Sequence, residues 1–407
     1  MTLAAVRERL AAALDDAELP RLGTGLVATV RIACGDEAFC LRLDDGRPSL
    51  VDAGAPAQII ITADAEAWTK VLQVPPPPTF HAFTAFALAN PAFAIDGDPL
   101  LIAQARPVLE RLFERVTASP APPAEAPKRD MGQISGRYHA LLAEGRPHDL
   151  FVEQAGQGVP VLCLHTAGAD ARQFQAQLAD VGLGRDYRLV APDLPFHGRS
   201  MPPRDWDGGP YRLTAATYLA WCVGVIERVI GEPAIVAGGS MGAGMAMLLA
   251  AERPDLVRGI VAIEPPFQSK GRRNPYQHHV QVHGGLHNAA FVRGLMSPTS
   301  PEADRRRAAW IYSQGAPGIY PGDLAFYSDE FDGAVVAPRI DAAKTPVALL
   351  CGTYDYSATP ADGAKLADLI PGARLTVMEG LGHFPMCENP DLFRPHFVAG
   401  LAHASRR

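Results

Sequence analysis

Gly238-Gly239-Ser240-Met241-Gly242, read together with its flanks, constrains this chain more than any other stretch. Ala234-Ile235-Val236-Ala237 is a short apolar run, the pattern of a buried parallel strand. Ala243 to Glu252 (AGMAMLLAAE) is rich in Ala, Leu and Met and predicts a helix. Strand, tight turn and helix is the context in which G-x-S-x-G becomes a nucleophile elbow. A serine at the tip of so sharp a turn sits in strained backbone, and strand and helix pass close on either side, where a Cβ would clash. The plain alternative is a strand-to-helix turn with no chemistry, since Gly and Ser are common in loops.

Two later segments weigh against that alternative. Pro346 to Gly352 (PVALLCG) is a second apolar strand, followed by Thr353-Tyr354-Asp355. Ala373 to Met378 (ARLTVM) reads as a last strand and leads into Gly380-Leu381-Gly382-His383-Phe384. Neighbouring strands of a parallel sheet end on one edge, so an aspartate and a histidine after these two strands come near Ser240. A serine hydroxyl needs a base to take its proton. In a triad that base is a histidine oriented by a carboxylate, and His383 and Asp355 supply both. Taken singly, Asp355 would be a helix cap before Ala361–Leu369 and His383 a solvated loop residue.

With these residues the chain resembles the α/β-hydrolase superfamily over about 134–404. Pro160 to His165 (PVLCLH) resembles the strand entering that family's oxyanion loop, here His165-Thr166-Ala167-Gly168-Ala169 with Thr166 where glycine is customary. Asp193-Leu194-Pro195-Phe196-His197-Gly198-Arg199-Ser200 is similar to the D-x-P-G-H-G-x-S turn, with Phe196 in place of glycine; Asp193 and His197 read as turn residues. Gly382-His383-Phe384-Pro385, then Glu388-Asn389-Pro390 and a helix from Asp391 to Leu401, is similar to the family's ending. The resemblance implies that Ser240 attacks a carbonyl, His383 shuttles the proton and Asp355 orients the imidazole. It also implies an oxyanion hole of two backbone amides, Met241 and one from Thr166-Ala167, with Ala167 preferred as the second residue after the loop histidine.

Composition bounds the class. At 407 residues, 48% hydrophobic and 20% charged, the chain is globular and long enough for two domains. A net charge of −7 argues against nucleic acid. The six cysteines (Cys34, Cys40, Cys163, Cys222, Cys351, Cys387) show no C-x-x-C spacing, so neither a disulfide framework nor a zinc site is expected. Met1 to Leu14 carries Arg7, Glu8 and Arg9 and reads as an amphipathic helix rather than a signal peptide. No run approaches the roughly 18 apolar residues of a membrane span, so stable membrane insertion is not expected. These features predict a cytoplasmic enzyme without cofactor or metal.

A boundary lies at Thr117 to Asp130 (TASPAPPAEAPKRD), proline-rich and free of large apolar residues, an extended linker. Residues 1–116 then form one domain and 131–407 another, expected to fold alone. In the first, Ala28–Cys34 and Phe39–Leu43 alternate as half-buried strands, with shorter strands at Ser49–Val51, Gln58–Ile61 and Ala92–Asp96. Helical stretches at Asp64–Val71, Phe80–Ala89 and Leu100–Val116 make this an α+β domain. Ile59 to Asp64 with Trp68 and Leu72, and Phe93 to Pro99 with its Gly-Asp turn, resemble the sterol-carrier-protein-like lipid-binding domain. That resemblance implies an apolar-ligand tunnel between sheet and helices. A small domain with a filled core, used for homodimerisation, stands equal beside it.

The hydrolase pattern is interrupted at about 265–340, the usual place for a helical lid. Phe267, Tyr276, Phe291, Trp310, Tyr312, Tyr320, Phe326 and Tyr327 suit the roof of an apolar pocket or the segment's own core. His279, His283 and His287 recur every fourth residue, but Gly284-Gly285 breaks the helix and no Cys or carboxylate cluster completes a metal shell. Arg305-Arg306-Arg307 reads as a solvated helix face. The reading reached is a serine hydrolase of a small apolar ester or lactone. Its rivals are a carbon–carbon bond hydrolase of meta-cleavage type, an acyltransferase with the same triad, and a non-catalytic lipid-binding protein with a relic triad. Against the first stands Gly239, where such enzymes commonly carry asparagine.

Overall fold

A computed structural model describes residues 2–406 and divides them into two compact units, 2–121 with 275–301, and 122–274 with 302–406. The first unit is built on a five-stranded sheet in the order β3-β2-β1-β4-β5, where β1 is Val27–Cys34, β2 Glu37–Asp44, β3 Ser49–Val51, β4 Ile59–Ala63 and β5 Phe93–Gly97. β1 pairs parallel with β4, and the remaining pairs are antiparallel. Strand β4 buries Ile59, Ile61 and Ala63 and turns Ile60 and Thr62 outward, the period-two alternation of a one-sided sheet.

Helices Ala65–Val71, Phe83–Ala89 and Pro99–Val116 close over the buried face of the sheet. Asp64 starts the first of them by accepting the Ala67 amide at 2.7 Å. Trp68 is wholly buried, donates its indole N–H to the Ala33 carbonyl at 3.0 Å, and meets the Phe93 ring edge-on at 5.2 Å. Phe86 stacks on Phe93 at 4.2 Å and meets Phe113 edge-on at 5.1 Å. Aromatic rings therefore fill the space between sheet and helices.

The expectation of a continuous roof over 265–340 is corrected here. Its stretch 275–301 belongs to the first unit. The helix Gly284–Arg293 packs on Pro99–Val116: Arg106 lies over the Phe291 ring, Leu286 joins the first unit's core, and Gln104 donates to the Gln281 carbonyl at 2.8 Å. Arg293, almost fully buried, pairs with Glu18 at 2.7 Å and Glu114 at 3.3 Å. Charges so placed need partners, because an unpaired buried guanidinium costs several kcal/mol, about 3–5. The histidine series has local roles there. His283 accepts the Leu286 amide at the helix start, and buried His287 is pushed down to about 4 by burial and by Arg106.

The second unit carries an eight-stranded sheet in the order β13-β12-β11-β10-β8-β9-β7-β6. The strands are β6 Ser135–Ala143, β7 Arg146–Gly156, β8 Val159–Leu164, β9 Tyr187–Pro192, β10 Ala234–Gly239, β11 Val257–Ile263, β12 Val347–Gly352 and β13 Arg374–Met378. From β9 to β13 the pairs are parallel, while β6 and β7 are antiparallel. Central β10 and β12 are buried along their whole lengths, as a sheet covered on both faces requires. The order steps outward from β8 through β10, β11 and β12 to β13, so loops following these strands share one edge.

Candidate active site

Ser240 sits between β10 and the helix Met241–Glu252 with φ +51° and ψ −109°, in the left-handed half of backbone space that side chains avoid. Such strain persists where the surroundings fix it. The Ser240 amide donates to the Ile263 carbonyl of β11 at 2.8 Å, anchoring the turn to the sheet. The flanking glycines are required sterically. A Cβ on Gly238 would lie 2.2 Å from the Gly242 carbonyl oxygen, and one on Gly242 would lie 2.5 Å from that of Leu164.

The residues expected to join Ser240 do so. Ser240 Oγ lies 2.9 Å from His383 Nε2, and His383 Nδ1 lies 2.6 Å from Asp355 Oδ2. All three are nearly excluded from solvent. Asp355 Oδ1 accepts the amides of Ser357 at 2.6 Å and Ala358 at 3.1 Å. Burial works against its charge, but His383 and those two amides outweigh burial and hold the carboxyl below its usual range. An ionised carboxylate on Nδ1 leaves Nε2 as the acceptor for the serine proton. The histidine loop is itself braced, since buried Glu388 accepts the Gly382 amide at 2.6 Å and that of Phe384 at 3.3 Å.

The loop after β8 separates the candidate oxyanion amides. Thr166 N donates to Gln173 Oε1 at 2.9 Å, Gly168 N to Asp323 Oδ2 at 2.7 Å, and Ala169 N to the Thr166 carbonyl at 3.3 Å. Thr166 is thereby corrected as a candidate donor, because its N–H is already engaged by a buried side chain. Among the described residues the amides of Ala167 and Met241 have no protein acceptor. The Met241 amide is free for a general reason, the first turn of a helix having no intrahelical acceptor.

Four side chains hold this loop, a role the sequence suggests for none of them. Gln173 also donates to Tyr312 Oη at 3.2 Å, and Tyr312 makes a short hydrogen bond with Thr166 Oγ1. Tyr320 lies against Gly168, whose φ of +71° excludes a side chain there. Asp323, fully buried, accepts from Gly168 N, from Tyr211 Oη at 2.8 Å and from His197 Nε2 at 2.8 Å. A cleft of about 600 Å³, lined in part by Arg129, Arg172, Trp310 and Cys387, shares Gln173 and Met386 with the site.

Asp193 and His197 stay in the turn. Asp193 accepts the amides of Ala171 at 2.9 Å and Arg199 at 2.8 Å and the Arg199 guanidinium at 2.9 Å. His197 is bound through both ring nitrogens, to the Pro195 carbonyl and to Asp323. Phe196 has φ +73°, which explains why glycine is customary at its position. His165, pushed down by burial and by His197, places Nδ1 2.9 Å from the Thr166 carbonyl and accepts the Leu194 amide on Nε2. It holds the loop against the turn and does not face the serine hydroxyl.

The sequence model of the alpha/beta hydrolase fold family matches residues 159–390, more than half of the chain. Pheophytinase of Arabidopsis thaliana is 30% identical over 172 residues, 35% of this chain, which spans only 35% of that relative's length. The pimeloyl-[acyl-carrier protein] methyl ester esterase of Chromobacterium violaceum is 28% identical over 265 residues, 60% of this chain and 95% of the esterase. Among solved structures, the enol-lactonase of Burkholderia xenovorans LB400 superposes with a TM-score of 0.55 at 21% identity, covering 65% of this chain and all of that one.

Proposed function

The chain belongs to the alpha/beta hydrolase fold family, and we propose that it is a serine hydrolase cleaving a carboxylic ester or lactone of apolar character. One observation carries the reading. Ser240 Oγ, His383 and Asp355 form an unbroken hydrogen-bonded line at a strained elbow, and among the described residues neither the Met241 nor the Ala167 amide has a protein acceptor.

The chemistry then runs on this chain's own groups. Ser240 Oγ attacks the carbonyl carbon while His383 Nε2 takes its proton, and Asp355 stabilises the imidazolium. Charge on the carbonyl oxygen meets the Met241 and Ala167 amides, preset donors that need no reorganisation. The imidazolium protonates the leaving alcohol, and water, activated by the same base, releases the acid from Ser240. The aromatic side chains Tyr312, Tyr320 and Phe384, which touch one another or the oxyanion loop, suit an apolar acyl or alcohol part. The helices of 302–339 then serve as a lid over the site.

For the first unit we keep two readings and favour one. Its rings meet across the space a ligand tunnel would need, which supports a packed core over a sterol-carrier-like tunnel. Its role would then be contact with a second copy. Among the described residues no helix is long and apolar enough to cross a membrane, and the six free thiols fit the reducing cytoplasm.

The test is a panel of short- and long-chain aryl esters, an aryl lactone and a vinylogous diketone. Ester or lactone turnover abolished by Ser240→Ala supports the proposal. Cleavage of the diketone alone would overturn it in favour of the carbon–carbon reading. No turnover of any class, with Ser240 unreactive to a fluorophosphonate, would leave a binding protein.

A further inference from the structure

Among the buried acids that take no part in the mechanism, Glu264 lies nearest the triad's own carboxylate in the chain's sheet order. Glu264 follows directly on β11, the strand beside the Ser240 strand, and is wholly excluded from solvent. Its backbone is bent to φ +49°, and its amide donates to the Leu350 carbonyl of β12. Both carboxyl oxygens take the Gly352 amide, at 2.8 and 2.9 Å, and the Asp355 amide donates to the Gly352 carbonyl at 3.2 Å, so the charge of Asp355 acts on Glu264. Two carboxyls thus share one dry site at the end of β12.

Two carboxylates cannot both be ionised in contact, so one keeps a proton. Their surroundings decide which. Asp355 has two amides and the imidazole of His383 to stabilise its charge. Glu264 has one amide, and the groups facing it are the carboxyls of Asp355 and Glu388 and the Cys351 thiol, none of them a cation. Burial first, and then the charge of Asp355, raise Glu264 well above the usual carboxyl range.

We propose that Glu264 is a positioning residue of the triad: a carboxyl that stays protonated, donates its hydrogen bond to Asp355 and accepts the Gly352 amide, fixing the aspartate where His383 needs it. The proposal rests on the hydrolase reading. A neutral donor there keeps Asp355 ionised yet weakly basic, so the aspartate orients the imidazole without taking its proton. It also ties the acid to the β11 end, from which Ser240 itself is held through Ile263.

Gln reproduces a protonated Glu, with a donor for Asp355 and an acceptor for Gly352, while Leu offers neither. In the full chain, Glu264→Gln should keep kcat within about threefold, with the acid limb of kcat/KM in place. Glu264→Leu should lose kcat roughly ten- to hundredfold with KM little changed. Its acid limb should also move up by about half a pH unit or more, because an aspartate missing a hydrogen bond stabilises the imidazolium. A folded Leu variant with unchanged kcat and pH profile would overturn the proposal, as would a Gln variant that behaves like Leu.

Should the Leu variant not fold, thermal melts of wild type and Glu264→Gln decide. A proton held only in the folded state makes wild-type stability fall as pH rises above the usual carboxyl range. The Gln variant should therefore match wild type near pH 5 and exceed it near pH 8. Parallel curves would refute the retained proton. The melts need no activity, so they stay informative even if Ser240 fails to react with a fluorophosphonate and the hydrolase reading falls.

Discussion

The carboxylate of Asp323 accepts the Gly168 amide at 2.7 Å and the His197 imidazole at 2.8 Å, tying the oxyanion loop to the D-x-P turn from a segment more than a hundred residues further along the chain. The tie is charged. Burial alone would lower His197, but Asp323 outweighs it and raises the ring above its ordinary value. Gly168 directly follows Ala167, so in the proposed mechanism any slack in the tie displaces the amide assigned to the oxyanion.

Asp323→Ala should therefore cut kcat by roughly ten- to hundredfold, the scale on which a misplaced oxyanion donor acts. KM should change little, since ground-state binding does not use that amide. A fall in melting temperature should accompany it, because His197 is left buried without its carboxylate. Kinetics on folded protein, well below the transition, check the first effect. Unchanged kcat would separate Asp323 from the hole.

The proton relay gives a sharper pattern. Ser240→Ala and His383→Ala should each abolish ester turnover to a similar extent, because the two act as a unit and their losses do not add. Asp355→Asn should cost on the order of 10³ to 10⁴ in kcat, the imidazole being left in the wrong tautomer. Ser240→Ala should also abolish fluorophosphonate labelling with an unchanged circular dichroism spectrum. Labelling that survived in this variant would place the nucleophile elsewhere.

Ser240, Asp355 and His383 were legible because each follows an apolar strand, and parallel strands deliver their ends to one edge. Phe196 was legible as a departure, and its positive φ gives the reason. Gln173, Tyr312 and Asp323 were not. They brace the loop from three separate helical segments whose local sequence carries no motif, and only the folded chain brings them near Thr166 and Gly168. Glu264 carried a signal that went unread: a lone acid closing the apolar run Gly259 to Ile263. The aromatic count between 265 and 340 suggested one roof, yet composition cannot tell which core a segment joins, and 275–301 joined the other.

Glu110 predicts a pH dependence in the first unit. Fully buried, it accepts the Thr84 amide at 2.8 Å and the Thr84 hydroxyl at 2.7 Å, and burial raises it from 4.5 to about 7 despite Thr84 and Arg106. A carboxyl raised on folding contributes stability that is complete below its unfolded value and is lost as pH climbs to its folded value. The loss therefore falls between about pH 4.5 and 7 and amounts to a few kcal/mol, roughly 1.4 per pH unit. Glu110→Gln should melt like wild type near pH 4.5 and several degrees higher at pH 8. Parallel melting curves across that window would show that Glu110 titrates normally.

Removing the first unit should expose how the chain is divided. The sequence alone suggests that everything after the proline-rich linker folds by itself. However, the helix Gly284–Arg293 lies beyond that linker and buries Ala290, Phe291 and Val292 within the first unit. Chain 122–407 keeps this helix but loses its cover, and leaves Arg293 without Glu18 and Glu114. Exposed apolar surface and a stranded guanidinium together predict poor solubility and strong dye binding. Replacing 275–301 by a flexible Gly-Ser linker in that truncated chain removes both problems and retains Ser240, Asp355 and His383. It should be soluble, melt cooperatively and label at Ser240. Soluble yield, melting and labelling of the two chains decide the matter. If the simple truncation were as soluble and active as the full chain, 275–301 would hold its structure without the first unit.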